Sequence, residues 1–444
     1  MTRKERILTK AHNPQIDHSK CAGDHIEIKA TPAGEKALVA LGFSVGRRRK
    51  HIDYHVWHIP EGMSLEQAVE AAAGVSGVED VEFDREVESY SLPFPLDEQG
   101  LPNDSYVNNQ AGYLGQMGIF GEPSMWSLFD RYPFPLHTPI VGVKEHILDI
   151  THVDLQGQYI LPPWSPEGVD PFNGDGGHSV KVAGIIGAKT GNAKGIAGLA
   201  FNSKIHMGAS NYMSSTIDYV EYCITNNIKA INISSGTAAQ EGSSSWQTIA
   251  KAAKDNNVVI CVAAGNTGID PQGSTNIYSF GEGVFTVAGL DNNSSKIYHG
   301  SWYNEHVTFA APHYALTTAK NNSGTPQASD TYTGVSGTSF SAPVVTSLVA
   351  LLRTINPNFT HSEIEQIIAM SCKPFVPPAG KPVYGYGIPH FRTAITIAMN
   401  NAVGLFYGDA PIRRLWSDGK FIEGLFVNQG GEWVRTWNPT AKLF

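Results

Sequence analysis

Two stretches of the chain carry side chains able to do acyl chemistry. Residues 337–343 read Gly-Thr-Ser-Phe-Ser-Ala-Pro and deliver Ser339 out of a glycine turn into a helix, since Pro343 suits a first helical turn. A hydroxyl placed there faces free N–H groups and the positive end of the helix dipole, which favour the negative charge that attack on a carbonyl creates. Residues 175–179, Asp-Gly-Gly-His-Ser, bring His178 out of a glycine-rich loop into a helix whose Ala183, Gly184 and Gly187 allow close packing. Imidazole has the unperturbed pKa nearest neutrality, so it can take a hydroxyl proton and return it.

The elements that must position them alternate. Strand-like runs at 140–143, 204–207, 228–233 and 258–263 are short and rich in β-branched residues, and helix-like runs at 178–188, 217–225 and 246–254 separate them. This pattern predicts an α/β domain with a mostly parallel sheet buried on both faces. Ligands in such sheets collect at the carboxyl ends of the strands. Three ends there are polar or glycine-bearing: Lys144-Glu145-His146, Ser234-Ser235-Gly236 and Ala264-Gly265-Asn266. The run after Ser339 is apolar nearly all round and predicts a helix through the core.

Composition bounds the rest. The chain has 444 residues, 41% of them hydrophobic, and a net charge of -9. No basic stripe follows a helix pattern, which argues against nucleic acid. The one basic run, Arg47-Arg48-Arg49-Lys50, reads as a solvated turn. Cys21, Cys223, Cys261 and Cys372 have no metal-site spacing and read as reduced thiols. No uninterrupted apolar run approaches the roughly 20 residues of a membrane span, and the first ten residues lack a signal-peptide core. The expected location is cytoplasmic, or outside the cell by a route without a classical signal peptide.

Five segments are expected: a polar extension over 1–23, a small α+β domain over 24–90, a linker over 91–102, the α/β domain over 103–402 and an aromatic extension over 403–444. In the last, Asp418-Gly419 and Gly430-Gly431 between aromatic runs suggest hairpins packed on the α/β domain.

Gly-Gly-His178-Ser-Val-Lys-Val-Ala-Gly, Ala-Ala-Gly-Asn266 and Gly-Thr-Ser339-Phe-Ser-Ala-Pro resemble the histidine, oxyanion and nucleophile motifs of the subtilisin-like serine proteases, in that family's chain order. The likeness covers about residues 102–400, and the 24–90 segment is similar to the family's inhibitory propeptide. The resemblance implies a subtilisin-like fold with a ferredoxin-like propeptide. It implies Ser339 as nucleophile, His178 as base and Asn266 as oxyanion donor with the Ser339 N–H. Ser234, Ser235 and Gly236 would pair with an extended peptide substrate as an added strand. Ala263, Ala264 and Gly265 would wall a roomy, apolar pocket for the residue before the scissile bond.

The acid departs from the family pattern. Aligning His152-Val-Asp154-Leu with the family's His-Pro-Asp-Leu puts Glu145 where an aspartate is expected, and Asp149 is its rival. Asp149 would demand a four-residue shift that buries Lys144, Glu145 and His146 in the strand, so Glu145 is the preferred acid. The expected activity is that of a serine endopeptidase made as a self-processed zymogen cut at Tyr90–Ser91, its propeptide an intramolecular inhibitor. The alternatives are a peptide ligase or macrocyclase, or a peptide-binding pseudo-protease. No cofactor is required, and a monomer is expected. Calcium is not expected in the loop Thr190-Gly-Asn192-Ala-Lys194-Gly, which offers few oxygens and a lysine.

Overall fold

A computed structural model describes residues 2–11, 21–47, 54–85, 92–130, 132, 135–268, 275–291, 294–320, 329–402, 406–407, 410–411, 425–429 and 432–437. The chain divides into two compact units, Met1–Ser89 and Tyr90–Phe444. The bond proposed for cleavage, Tyr90–Ser91, lies outside the described residues, as do residues 48–50 of the basic run.

The first unit runs α1 (Arg3–Ala11), β1 (Cys21–Ala30), α2 (Pro32–Ala40), β2 (Ser44–Arg47), β3 (Tyr54–His58), α3 (Leu65–Gly74) and β4 (Val78–Arg85). Its strands form one sheet in the order β2-β3-β1-β4, with antiparallel neighbours. Ser64 and Gln67 close a reciprocal capping box at the start of α3. The period-2 pattern puts Ile26, Ile28 and Trp57 on the face that packs with Val69, Ala72 and Ala73 of α3. The polar extension expected over 1–23 is corrected at both ends. Residues 3–11 form α1, whose buried Ile7 joins this core and whose Arg3 guanidinium donates to the Ala73 and Val75 carbonyls. Ile7 and Leu8 are the apolar side chains that α1 brings to this core, too few in nine mostly polar residues to mark a helix in the sequence. β2 was also missed, its four residues being too few to show alternation.

The second unit contains α4 (Val107–Leu114), α5 (Met125–Asp130), β5 (Ile140–Glu145), β6 (Tyr159–Trp164), α6 (Gly177–Gly187), β7 (Lys204–Ala209), α7 (Met213–Thr225), β8 (Ala230–Ile233), β9 (Ala238–Ala239), α8 (Ser244–Asp255), β10 (Val259–Ala263), β11 (Thr275–Asn276), β12 (Phe285–Leu290), β13 (Val307–Pro312), β14 (Tyr314–Ala319), β15 (Thr331–Ser336), α9 (Thr338–Ile355), α10 (His361–Ser371), α11 (Phe391–Ala402) and two hairpins, β16 (Phe406–Tyr407) with β17 (Ala410–Pro411) and β18 (Leu425–Gln429) with β19 (Glu432–Trp437). Seven strands make the central sheet in the order β13-β12-β10-β8-β5-β7-β6, every neighbouring pair parallel. Every residue of β8, β10 and β12 is buried, the mark of a sheet covered on both faces.

Helix α9 is the axis of this unit. It is long and apolar enough to cross a membrane, but 94% of it is buried inside the protein, as befits a core helix. Every residue of α9 except Ser339 is buried. The linker expected over 91–102 is corrected as well: Leu92, Phe94 and Leu101 are buried in the core of the second unit, and Phe94 meets the Phe201 ring edge-on at 5.7 Å. The prolines that read as linker chemistry turn a chain that is anchored by these apolar side chains.

Candidate active site

The site lies where β5, β8 and β10 end, as the parallel-sheet rule requires. Each strand end supplies one part, and the N-termini of α6 and α9 supply the others.

Ser339 enters α9 from Gly337, whose φ of 138° is a conformation that L side chains rarely adopt. Pro343 sits in the second helical turn, not the first as expected, so it withholds the N–H that the Ser339 carbonyl would accept. Ser234 makes good that loss. Its hydroxyl donates to the Ser339 carbonyl at 2.8 Å, and in return the Ser339 hydroxyl donates to the Ser234 carbonyl at 3.0 Å. Behind Ser234, buried Asn232 donates to its Oγ at 2.8 Å, and Thr346 of α9 donates to Asn232 Oδ1 at 3.2 Å. The start of α9 is thereby fastened to the end of β8.

His178 stands at the start of α6, whose entry is fixed by Gly176. A Cβ on that glycine would come within 2.5 Å of the Leu148–Asp149 peptide. The imidazole Nδ1–H of this half-exposed ring donates at 2.7 Å to Oε2 of Glu145, a carboxylate buried at the end of β5. Burial of the ring pulls its pKa down, but the Glu145 hydrogen bond and charge outweigh that pull and hold His178 above its ordinary value. The ring lies 5.6 Å from that of Phe340, so it neighbours the nucleophile turn. Asp149 is engaged elsewhere: its Oδ1 accepts from the Thr151 N–H at 2.9 Å and the Thr151 hydroxyl at 2.7 Å.

Asn266 lies beyond the end of β10. Its Oδ1 accepts from the Thr338 N–H at 2.7 Å and the Thr338 hydroxyl at 3.0 Å. Asn266 is exposed, and with its Oδ1 held by Thr338 its side chain is set at the start of α9. The same Thr338 hydroxyl accepts from the Gly265 N–H at 3.0 Å. Thr338 thus orients the amide, a role that residue-type reading passed over.

The strand ends are more enclosed than expected. Asn276 of β11 donates from Nδ2 to the Ala263 carbonyl at 2.7 Å and the Ser235 carbonyl at 3.1 Å, bridging β10 to β8. Gly236 makes room for it, since a Cβ there would come 2.1 Å from Asn276 Oδ1. Ala264 is buried and donates to the Val287 carbonyl at 3.0 Å. The Trp302 indole packs against Gly265, where a Cβ would sit 2.0 Å from the ring. Asn276 and Trp302 thus pack against the strand ends from which a roomy pocket was expected.

The lysine whose burial counted against Asp149 is itself buried. The ammonium of Lys144, buried next to Glu145 in β5, donates to Ser235 Oγ at 2.9 Å, and burial pushes its pKa down to about 8 against the opposing pull of Glu145.

The loop after α6 turns N–H donors toward the carboxylates of Asp154 and Asp104. Asp154 accepts from Asn192 Nδ2 at 2.7 Å and the Ile196 N–H at 3.2 Å, and Asp104 from the Gly191 N–H at 2.8 Å. N–H groups face these carboxylates, which does not fit the six to eight oxygens of a calcium site. Asp104 Oδ1 is buried with no partner, and burial raises the Asp104 pKa to about 6.

Comparison with known proteins gives the family. Residues 137–387 match the model of the subtilase family. The chain is 28% identical over 292 residues to a thermostable alkaline protease of Halalkalibacterium halodurans, covering 64% of this chain and 71% of that protein. It is 26% identical over 231 residues to subtilisin NAT of Bacillus subtilis subsp. natto, covering 50% of this chain and 58% of that one. Among solved structures, a protease of Pseudoalteromonas arctica superposes with a TM-score of 0.57 at 24% identity, over 67% of this chain and 99% of that one. Fervidolysin of Fervidobacterium pennivorans, a keratinolytic enzyme related to subtilisin, superposes at 0.56 and 22% identity, over 86% of this chain and 62% of that one. With a family match over more than half its length, on a fold these structures share, the chain belongs to the subtilase family of subtilisin-like serine proteases.

Proposed function

We propose that the chain is a serine endopeptidase whose triad is Ser339, His178 and Glu145. The observation that carries this reading is the 2.7 Å hydrogen bond from His178 Nδ1 to a buried glutamate, beside the one unburied residue of α9. Glu145 fixes the tautomer that leaves Nε2 free to accept a proton, and it stabilises the imidazolium that forms. A rotation about the Ser339 Cα–Cβ bond releases its hydroxyl from the Ser234 carbonyl and turns it to Nε2. Attack on a substrate carbonyl then gives a tetrahedral oxyanion, met by the Asn266 amide and the Ser339 N–H at the positive end of α9. Collapse expels the amine, which takes its proton from His178, and water releases the acyl group by the same steps in reverse.

The substrate is an extended polypeptide lying along Ser234–Gly236, read without a cofactor by a monomer. The first unit is its propeptide and intramolecular inhibitor, removed by cleavage near Tyr90–Ser91 and making the protein a zymogen. Incubating the full chain with a mixture of unstructured peptides, followed by mass spectrometry, tests this reading. Hydrolysed fragments and a shortened chain support it, with both absent in Ser339→Ala. Joined or cyclic products indicate a ligase, and intact peptides with retained binding a pseudo-protease.

A further inference from the structure

We propose that the first unit carries a binding site for a divalent transition-metal ion of the zinc type, formed by Asp24, His25 and His58. His25 of β1 and His58 of β3 are directly opposed partners in the antiparallel ladder, which places both imidazoles on one patch of sheet. Neighbours such as Asp24 and His25 point to opposite faces in a regular strand. The register of β1 against β4 is irregular between Cys21 and Ile26, and this lets the Asp24 carboxylate come round to the histidine side. The Ile59 N–H donates to the Asp24 carbonyl at 3.0 Å and pins the aspartate beside the end of β3.

The side chains converge. Asp24 Oδ1 lies 2.6 Å from His25 Nδ1, and Asp24 Oδ2 lies 4.0 Å from His58 Nδ1. One ligand atom from each residue falls within 4.8 Å of the other two. A tetrahedral ion bonds such atoms at about 2.0–2.2 Å, so small side-chain rotations complete a three-ligand set with a fourth position left for water. Two imidazole nitrogens and one carboxylate suit zinc, cobalt or nickel, and not the all-oxygen preference of calcium or magnesium.

A second observation concerns the room made for His58. Its ring lies over Gly46, where a Cβ would stand 2.8 Å from Nε2, and Gly46 falls where the β2–β3 register shifts. The glycine admits the imidazole with Nε2 beside Gly46 and Nδ1 on the side of Asp24. A bound ion would link β1 to β3 in a small unit and stabilise it by mass action.

The test uses the full chain carrying Ser339→Ala, so that its N-terminal unit stays attached. Cobalt and zinc are titrated by visible absorption and calorimetry. The expected result is one equivalent of cobalt with a tetrahedral spectrum, displaced by zinc, and an upward shift of the first unit's melting transition. His25→Ala with His58→Ala abolishes both, and Gly46→Ala, which keeps every ligand but displaces the His58 ring, weakens binding by about tenfold. Circular dichroism without metal confirms that the variants fold. Unchanged stoichiometry and affinity in the double variant, or no cobalt binding by the parent chain, overturns the proposal.

Discussion

The Ser234 hydroxyl donates to the carbonyl of Ser339 at 2.8 Å, the group that Pro343 leaves without its helical N–H. Pro343 and Ser234 are therefore parts of one device that sets the first turn of α9. Ser234→Ala should orphan a carbonyl in a confined site, at about 1–3 kcal/mol of stability. Chemical denaturation measures that loss, and turnover of an unstructured peptide should fall with it, because the start of α9 loses its tie to β8.

Thr338 holds Asn266 by two hydrogen bonds and Gly265 by a third. Thr338→Val keeps the shape and the backbone N–H but loses the hydroxyl. Expected is a fall in kcat of about tenfold with KM little changed. Asn266→Ala removes the donor itself, at about 10²–10³ in kcat, a magnitude established on a subtilisin. Steady-state kinetics on one peptide ranks the two.

Asn276 bridges the Ser235 and Ala263 carbonyls. Asn276→Ala should enlarge the space between β8 and β10 and shift preference toward bulkier side chains before the scissile bond. A peptide series varied at that one position reads the change in kcat/KM, and an unaltered ranking would place the pocket elsewhere.

Buried Lys144, with its pKa lowered to about 8, makes stability depend on pH in a definite direction. The folded protein gives up this proton before the unfolded chain does, so stability rises between about pH 8 and pH 10.5. Lys144→Met should be more stable than the parent at pH 7, with the difference shrinking across that window. Asp104 runs the other way: with its folded pKa raised to about 6, stability falls as pH climbs from about 3.8 through 6. Asp104→Asn should flatten that fall, read as denaturation midpoints at pH 4 and pH 8.

The sequence was most legible where one residue type has one use. Ser339 and His178 announce themselves through glycine turns, and the apolar β-branched runs of β8 and β10 could only be buried parallel strands. What stayed hidden depended on partners far along the chain. Thr338 reads as helix-entry chemistry until Asn266 is seen beside it, 72 residues away in sequence. Asn276 carries no signal in the sequence, and its amide is found between two strand ends. Lys144 looked like an objection to burying this stretch, yet it is buried and hydrogen bonded to Ser235. In the first unit, α1 shows too little apolar pattern to be read alone and is legible only through Ile7 and Arg3 against α3.

The central claim is that Glu145 orients His178, and the pH–rate profile of Glu145→Gln beside Asp149→Asn tests it most directly. Activity needs neutral His178, so it rises with pH through a pKa that Glu145 holds above the ordinary value. Glu145→Gln should lose about 10⁴ in kcat and move that rise to lower pH, while Asp149→Asn keeps both rate and profile. Loss of turnover in Asp149→Asn with Glu145→Gln near the parent rate would contradict the assignment.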